Sequence, residues 1–530
     1  MEFDVLIRGG AVIDGTRALS RPADVGIEGD RITAVGDLAG ARAATTIEAS
    51  GKVVAPGFID IHTHSDLTLF DYPDAEARIR QGITTEVVGN CSYSPFPLTA
   101  KTRSFMQARL EGTPDEPWDW TDLDGYAARL SHRGIALNVA PLVGHGAIRS
   151  AVMEWANRPA RPDELARMQA LTAQSIEQGA FGFTTGLTLV PSSYGDTDEI
   201  VALASVAAAR GAFYATHSRL WTGFHFKAAE EAIDIGRRAR IPVQISHQTI
   251  VDSRYYGQAA HIVGLMEKAR AEGIDVRYDV YPYTAGGTPL DQLLPDWSLE
   301  GGAGRLLERL RDPVERDRVR EAARPGWFRG IPWQWDRILI TRIRAGEYSA
   351  FVGKSLAVVS DALKLEPLDT MLTLIEKTND DVAVVVFNRD ENDVRYFLGH
   401  PLSMVGSDGR AISPRGKALD TRPHPRYYGT FPRVLGRYVR EYRTLTLEDA
   451  VHKMTGAPAD RVGLRDRGRL ARGFNADVVV FDPETISDHA TFEDPHRFST
   501  GIEHVLVNGR IVLGSAGMTP ERPGRVLRKS

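Results

Sequence analysis

The strongest constraint on this chain is a rhythm. Eight short, strand-like apolar runs follow one another: GFIDIHTH, GITTEVVGNC, IALNVAPLVGH, GAFGFTTGL, AFYATHSR, IPVQISHQT, IDVRYDVYPY and LSMVGSDG. Stretches rich in Ala, Arg, Glu and Leu separate most of them, and DELARMQALTAQSIEQ and GFHFKAAEEAIDIGRRAR read most clearly as helices. Several runs are spaced by roughly 30–40 residues, the repeat of a parallel sheet assembled from βα units. The expected fold class is α/β, with a (β/α)8 TIM-like barrel over residues 56–455.

The two ends of the chain differ from this middle. DVLIRGGAVID, ADVGIEGDRITAVG and ATTIEASGKVVAP alternate apolar and polar residues and break at Gly or Asp. ADVVVFDPETI and IEHVLVNGRIVL near the other end look alike, with Asn508-Gly509 as a hairpin turn. Residues 1–55 and 456–530 are therefore expected to share one small β-sandwich. The interval from Asp279 to Asp408 is too long for a structureless loop. It is read as a small insert around 288–350, followed by a helix over DALKLEPLDTMLTLIEKT that completes the barrel.

Composition matters mainly for what it removes. Apolar residues at 42% and charged residues at 25% are globular values, which excludes a disordered or collagen-like chain. The net charge of −5 excludes a general nucleic-acid footprint and a polybasic membrane surface. The start, MEFDVLIRGG, has no basic region leading into an apolar one, and no window is long and apolar enough to span a bilayer. A cytoplasmic protein without nucleic-acid or membrane partners is expected. The single cysteine, Cys91, excludes an intramolecular disulfide.

The polar residues that close the runs point to chemistry. On a strand, residues two apart share a face, so Asp60, His62 and His64 face inward while Ile59 and Ile61 face the helices. His217, His247 and Asp408 each end an apolar run. In a parallel barrel these ends converge on one face, where active sites form. Four imidazoles and a carboxylate converging there suit a metal ion. Cys91 ends EVVGNC at the same level, and a thiolate among imidazoles suits zinc. Other histidines, such as His145 and His400, lack this placement and read as structural or solvated.

Taken together these motifs resemble the amidohydrolase superfamily, and most closely the D-aminoacylases, or N-acyl-D-amino-acid deacylases. PGFIDIHTHSD, GITTEVVGNCSYSP, ATHSR, QISH, DVYPYTAG, GSDG, HPRYYGTFPRVLGRYVRE and ADVVVFD follow in that family's order. The resemblance implies zinc-dependent cleavage of a linear amide C–N bond in a small-molecule N-acyl amino acid or related N-acyl amine. It assigns one tightly held Zn2+ to Cys91, His217 and His247. His62, His64 and Asp408 form a weaker or second site. Asp408 is then the general base and acid. It implies substrate contacts at Arg426, Tyr281 and Tyr194. Superfamily members bridged by a strand-four lysine differ here, because GAFGFTTGL has none.

Two positions depart from the family. A lysine common two residues after the strand-six histidine is Thr249, and a serine after Ala285-Gly286 is Gly287. Recognition of an ordinary amino-acid carboxylate is weakened at both. Trp221, Tyr255 and Tyr256 follow strands five and six and are candidates for an apolar pocket wall or for simple cover of the rim. The competing expectation is a cyclic-amide hydrolase of the hydantoinase or dihydroorotase kind. A homo-oligomer is compatible with the sequence.

Overall fold

The computed structural model describes residues 2–103, 106, 118–219, 225–328, 330–344 and 346–529. The chain is α/β. Five strands open it: β1 (Glu2–Val12), β2 (Arg21–Glu28), β3 (Arg31–Gly36), β4 (Arg42–Glu48) and β5 (Val53–Pro56). Then come β6 (Phe58–Asp60), β7 (Ile83–Val88), β8 (Asn138–Pro141), β9 (Val143–Gly144) and β10 (Gly182–Gly186). Next are β11 (Phe213–His217), β12 (Val243–Ile245) and β13 (Val276–Val280).

These middle strands pair in parallel. β6, β7 and β8 form one ladder, and β9 leads on through β10, β11, β12 and β13 to β17 (Ser403–Val405). β8 and β9 are one run interrupted at Leu142, whose N–H still reaches the Val88 carbonyl at 2.9 Å. The last strand returns to the first: the His64 N–H donates to the Gly409 carbonyl at 2.8 Å and the Asp408 N–H to the His62 carbonyl at 2.8 Å. All eight runs of the rhythm thus become parallel strands. Ile59 and Ile61 pack outward with Ala457 and Ala459, as the alternation requires, while Asp60 and His62 are buried on the other side.

Helices between the strands carry ordinary start signals. Asp122 accepts the Gly125 N–H ahead of helix Leu123–Arg133, and Asp196 accepts the Glu199 N–H ahead of Thr197–Ala208. Under β9 and β10 lies a buried polar network. His145 bonds Ser192 Oγ at 2.7 Å through Nδ1 and Glu199 Oε1 at 2.8 Å through Nε2, and Arg149 Nη1 donates to both Glu199 oxygens. Burial works against the Glu199 carboxylate, yet His145 and Arg149 outweigh it and hold it at about 2. Glu199→Gln leaves Arg149 buried without a counter-charge, a change that typically costs ~3–5 kcal/mol. Because the carboxyl is depressed in the folded state, its contribution is complete above the ordinary value near 4.5 and is lost as pH falls toward 2. The variant is therefore expected to melt below the parent at pH 7, with the gap narrowing below pH 4.5 in thermal scans.

The interval between β13 and β17 holds a unit with its own sheet and core. β14 (Gly286–Pro289), β15 (Ile338–Ile343) and β16 (Val382–Val386) form an antiparallel sheet in the order β14-β16-β15. Leu306, Leu310, Val319, Ile340, Met371 and Leu374 pack in its core. This unit runs past the expected 288–350 as far as Val386. Helix Pro367–Lys377, expected to complete the barrel, belongs to it instead, and helix Glu391–Gly399 precedes β17. The amphipathic pattern of 361–378 shows an apolar face but not which core that face meets.

The terminal strands share one sheet. β18 (Val478–Phe481), β19 (Ile502–Val507), β20 (Arg510–Gly514) and β21 (Gly517–Met518) extend it in the order β21-β20-β19-β18-β5-β1-β2-β3, with β4 also on β1. β18 pairs antiparallel to β5, which joins the two ends of the chain. Asn508 and Gly509 take φ of 47° and 79°, the left-handed pair a tight hairpin requires. Among the described residues no helix is long and apolar enough to cross a membrane.

Candidate metal centre and substrate cavity

A cavity of about 1150 Å3 opens at the carboxyl ends of the parallel strands, walled on one side by β14 and β16 of the inserted unit. The six expected donors lie here, at or just beyond the ends of β6, β7, β11, β12 and β17. Cys91, His247 and Asp408 have left-handed backbones, with φ of 51°, 36° and 50°. Non-glycine residues adopt that region at a cost, and such strain gathers where a side chain must be aimed.

The contacts are close. Cys91 Sγ lies 3.3 Å from His62 Nε2 and 3.5 Å from His247 Nε2. Asp408 Oδ1 lies 3.0 Å from His64 Nε2 and 3.7 Å from His62 Nε2. Among the described residues two groups could hold an ion: His62, Cys91 and His247, and His62, His64 and Asp408. They share His62.

The grouping differs from the expected one. His217 stands beside His247, with ring centroids 4.6 Å apart, but its Nε2 is engaged with Thr188 Oγ1 at 2.6 Å. His62 takes its place next to Cys91. The strand ends show which residues converge but not which ring nitrogen each turns inward.

The electrostatics of most donors fit ligation. At His62 burial opposes the charged ring, but Cys91 and Asp279 prevail and push its pKa well above the usual imidazole range, so it holds a proton that a cation would displace. Burial holds His64 and His217 at about 4 and His247 well below the usual imidazole range, so these rings are neutral and keep a lone pair. Burial opposes ionisation of Asp408, but Arg426 and His64 prevail and hold its carboxyl well below the ordinary range. Burial also raises the Cys91 thiol, against the pull of His62. A dry pocket that destabilises a lone thiolate favours one shared with a cation.

Support for these donors comes from a second layer. Asp279 Oδ1 lies 3.3 Å from His62 Nδ1 and accepts the His247 N–H at 2.7 Å. A carboxylate on the far nitrogen of a ligating imidazole sets its tautomer and orientation. Gly406 gives this contact room, since a Cβ there would stand 2.8 Å from His62 Cβ and 3.0 Å from Asp279 Oδ1. Arg78, wholly buried, donates to both Asp60 and Glu86 and reaches Ser407 Oγ at 2.8 Å. Asp60 Oδ1 accepts the Ser407 N–H at 2.9 Å, which pins the turn carrying Asp408.

Comparison with known proteins decides the lineage. The amidohydrolase family profile matches residues 45–282 and 399–513. An N-acyl-D-glutamate deacylase and a D-aminoacylase, both of Alcaligenes xylosoxydans xylosoxydans, are 39% and 38% identical to this chain. Both alignments span 100% of it and 97% and 98% of those proteins. The chain belongs to the amidohydrolase superfamily, in its D-aminoacylase family. A crystal structure of the N-acyl-D-glutamate deacylase from Bordetella bronchiseptica, complexed with zinc and a phosphonate mimic of the tetrahedral intermediate, superposes on this amidohydrolase with a TM-score of 0.82 at 35% identity. It covers 100% of both chains. The L-hydantoinase of Arthrobacter aurescens, at 16% identity and a TM-score of 0.57 over 99% of this chain and 100% of its own, shares the fold alone.

The expected substrate contacts divide. Arg426, Tyr281, Thr249 and Gly287 line the cavity of this amidohydrolase. Arg426 Nη1 lies 3.0 Å from Asp408 Oδ2, and its guanidinium sits 4.9 Å from the Tyr281 ring centre. Tyr194 is not there: it packs against the core of the inserted unit and donates its hydroxyl to the Asp296 carbonyl at 3.0 Å. Tyr255 and Tyr256 pack against the main core beside Ile262 and Phe226 rather than lining the cavity. Trp221 lies outside the described residues.

Three residues that sequence reasoning passed over stand at the site. Asp279 carries the same signal as the expected donors, a polar residue near the end of a strand. His424 and Arg389 carry none. His424 donates through Nε2 to the Ala285 carbonyl at 3.0 Å, and Nδ1 accepts the Arg426 N–H, so it sets the start of the Arg426 helix.

Proposed function

We propose that this protein is a zinc-dependent deacylase of N-acyl-D-amino acids or closely related N-acyl amines. Its catalytic unit is read as a (β/α)8 barrel, residues 56–455, capped by the inserted unit and joined to a small β-sandwich from 1–55 and 456–530. The observation that carries the reading is the pair of donor groups sharing His62 at the floor of the cavity, with a thiolate in one and Asp408 in the other. A cysteine sulfur, imidazoles and a carboxylate are a donor set that zinc accepts. His62, Cys91 and His247 would hold the tight ion, His217 would complete it by turning from Thr188, and His64 and Asp408 would hold the weaker one with His62.

Zinc there would polarise the scissile carbonyl and acidify water. The remaining work falls to side chains of this chain. Asp408, ionised and anchored by Arg426, takes a proton from the attacking water and returns it to the departing nitrogen, because an amine leaves poorly unless protonated. Tyr281 and Arg426 orient the amine half of the substrate, and Gly287 leaves open space beside Arg426, whose Nη2 would lie 3.7 Å from a Cβ at that position.

The test is release of carboxylic acid by the zinc-loaded protein from paired N-acetyl-D- and N-acetyl-L-amino acids, with a hydantoin alongside. Turnover of the D-compounds, lost with a chelator and restored by zinc, is expected. Turnover of the hydantoin alone would overturn the reading.

A further inference from the structure

Arg78 is a buried charge to which the proposed reaction gives no part. It stands on the short helix Glu76–Ile79, and its side chain is wholly buried behind the lining of the cavity. The guanidinium donates in several directions at once. Nε donates to Glu86 Oε1 on β7 at 2.5 Å. Nη2 donates to Asp60 Oδ2 at the end of β6 and to Ser407 Oγ just past β17, the latter at 2.8 Å. Nη1 reaches the Tyr427 carbonyl in helix Arg426–Arg433 at 3.3 Å. None of these partners is one of the six metal donors. Three of them are close neighbours of working residues: Ser407 precedes Asp408, Asp60 lies two before His62 on one strand face, and Tyr427 follows Arg426.

Asp408 needs such support. Its φ of 50° is a backbone that a non-glycine residue keeps only where the surroundings over-determine it. Three bonds do so. The Asp408 N–H donates to the His62 carbonyl at 2.8 Å, the Ser407 N–H to Asp60 Oδ1 at 2.9 Å, and the Gly409 N–H to Ser407 Oγ at 3.0 Å. Two of the three acceptors, the Asp60 carboxylate and the Ser407 hydroxyl, are themselves held by Arg78. Glu86 fixes the other edge of the fork, so the guanidinium is set from β7 as well. Gly409 leaves it room: a Cβ there would stand 3.0 Å from both Arg78 Nη1 and Ser407 Oγ. A lysine carries the same charge on one nitrogen and cannot present a planar fork to partners this far apart.

We propose that Arg78 is a positioning residue for the reaction: it holds the turn Ser407–Gly409 so that the Asp408 carboxylate stands where proton transfer requires. The inference rests on the deacylase reading, with Asp408 as its proton carrier, and adds a residue that touches neither substrate nor metal. A misplacement of about 1 Å in a reacting group can cost ~10²-fold in rate, so a brace at this distance from the chemistry is still felt in it.

The test measures kcat, KM and zinc content of the parent, Arg78→Lys and Ser407→Ala on N-acetyl-D-leucine, each with Asp408 intact and in the Asp408→Ala background, beside a thermal scan. With Asp408 intact, kcat is expected to fall about 10–100-fold in Arg78→Lys and about tenfold in Ser407→Ala. The tight ion should stay, while a second equivalent of zinc should bind about tenfold more weakly, because Asp408 is a donor of that group alone. In the Asp408→Ala background neither change should lower the residual rate more than about twofold, since groups that act as a unit do not add. Ser407→Ala leaves Arg78 between its two carboxylates, so it decides the matter if Arg78→Lys does not fold. Equal losses in both backgrounds, or loss of the tight ion, would overturn the inference and leave Arg78 as an ion pair of the core. Parent-level kcat in the folded single variants would overturn it too. A parent inactive on every N-acyl compound would overturn the deacylase reading and this inference together, whereas an active parent without the coupling overturns this inference alone.

Discussion

Cys91→Ala is expected to strip the tight ion and abolish turnover together. The sulfur lies within 3.5 Å of two imidazole nitrogens, in a pocket where burial alone would keep the thiol protonated. Alanine removes one donor and leaves His62 and His247 converging without the negative charge that binds a cation between them. Changes one layer further out typically cost 10–100-fold in metal affinity, so loss of a ligand should exceed about 100-fold. Metal analysis after gel filtration, beside a thermal scan that checks the fold, reads this directly. Full zinc content in the variant would return Cys91 to the role of a small buried hydrophobe.

Asp408→Ala is expected to do something different: to slow turnover while the tight ion stays. General acid–base groups typically contribute ~10²–10⁴-fold, so kcat should fall at least about 100-fold. Asp408 is absent from the group of His62, Cys91 and His247, which is why metal content and rate should separate in this variant. Arg426 also loses its partner at 3.0 Å, so KM is expected to move as well. Turnover near the parent level would remove Asp408 from the proton-transfer role.

Much of the frame is legible in the residues. Each parallel strand announces itself as a short apolar run, and alternation places Ile59 and Ile61 outward and Asp60 and His62 inward. The Asn508-Gly509 turn is equally plain, because few residue pairs accept that backbone. What escapes depends on longer reach. Helix Pro367–Lys377 has a clear apolar face, yet only tertiary packing shows that the face meets the inserted unit. Tyr194 is a substrate contact by family resemblance alone, but its hydroxyl turns to the Asp296 carbonyl. His62, not His217, stands within reach of Cys91, and His217 Nε2 is engaged with Thr188 Oγ1 instead. Arg389 sits far along the chain from every motif, and only the return of β16 brings it to Tyr281.

The account stands on a thiolate at the metal, and zinc-edge X-ray absorption of the zinc-loaded protein measures that most directly. One sulfur scatterer at about 2.3 Å is expected, with nitrogen or oxygen neighbours at about 2.0–2.1 Å, and the sulfur signal should vanish in Cys91→Ala. A zinc shell of nitrogen and oxygen alone in the parent protein would contradict it.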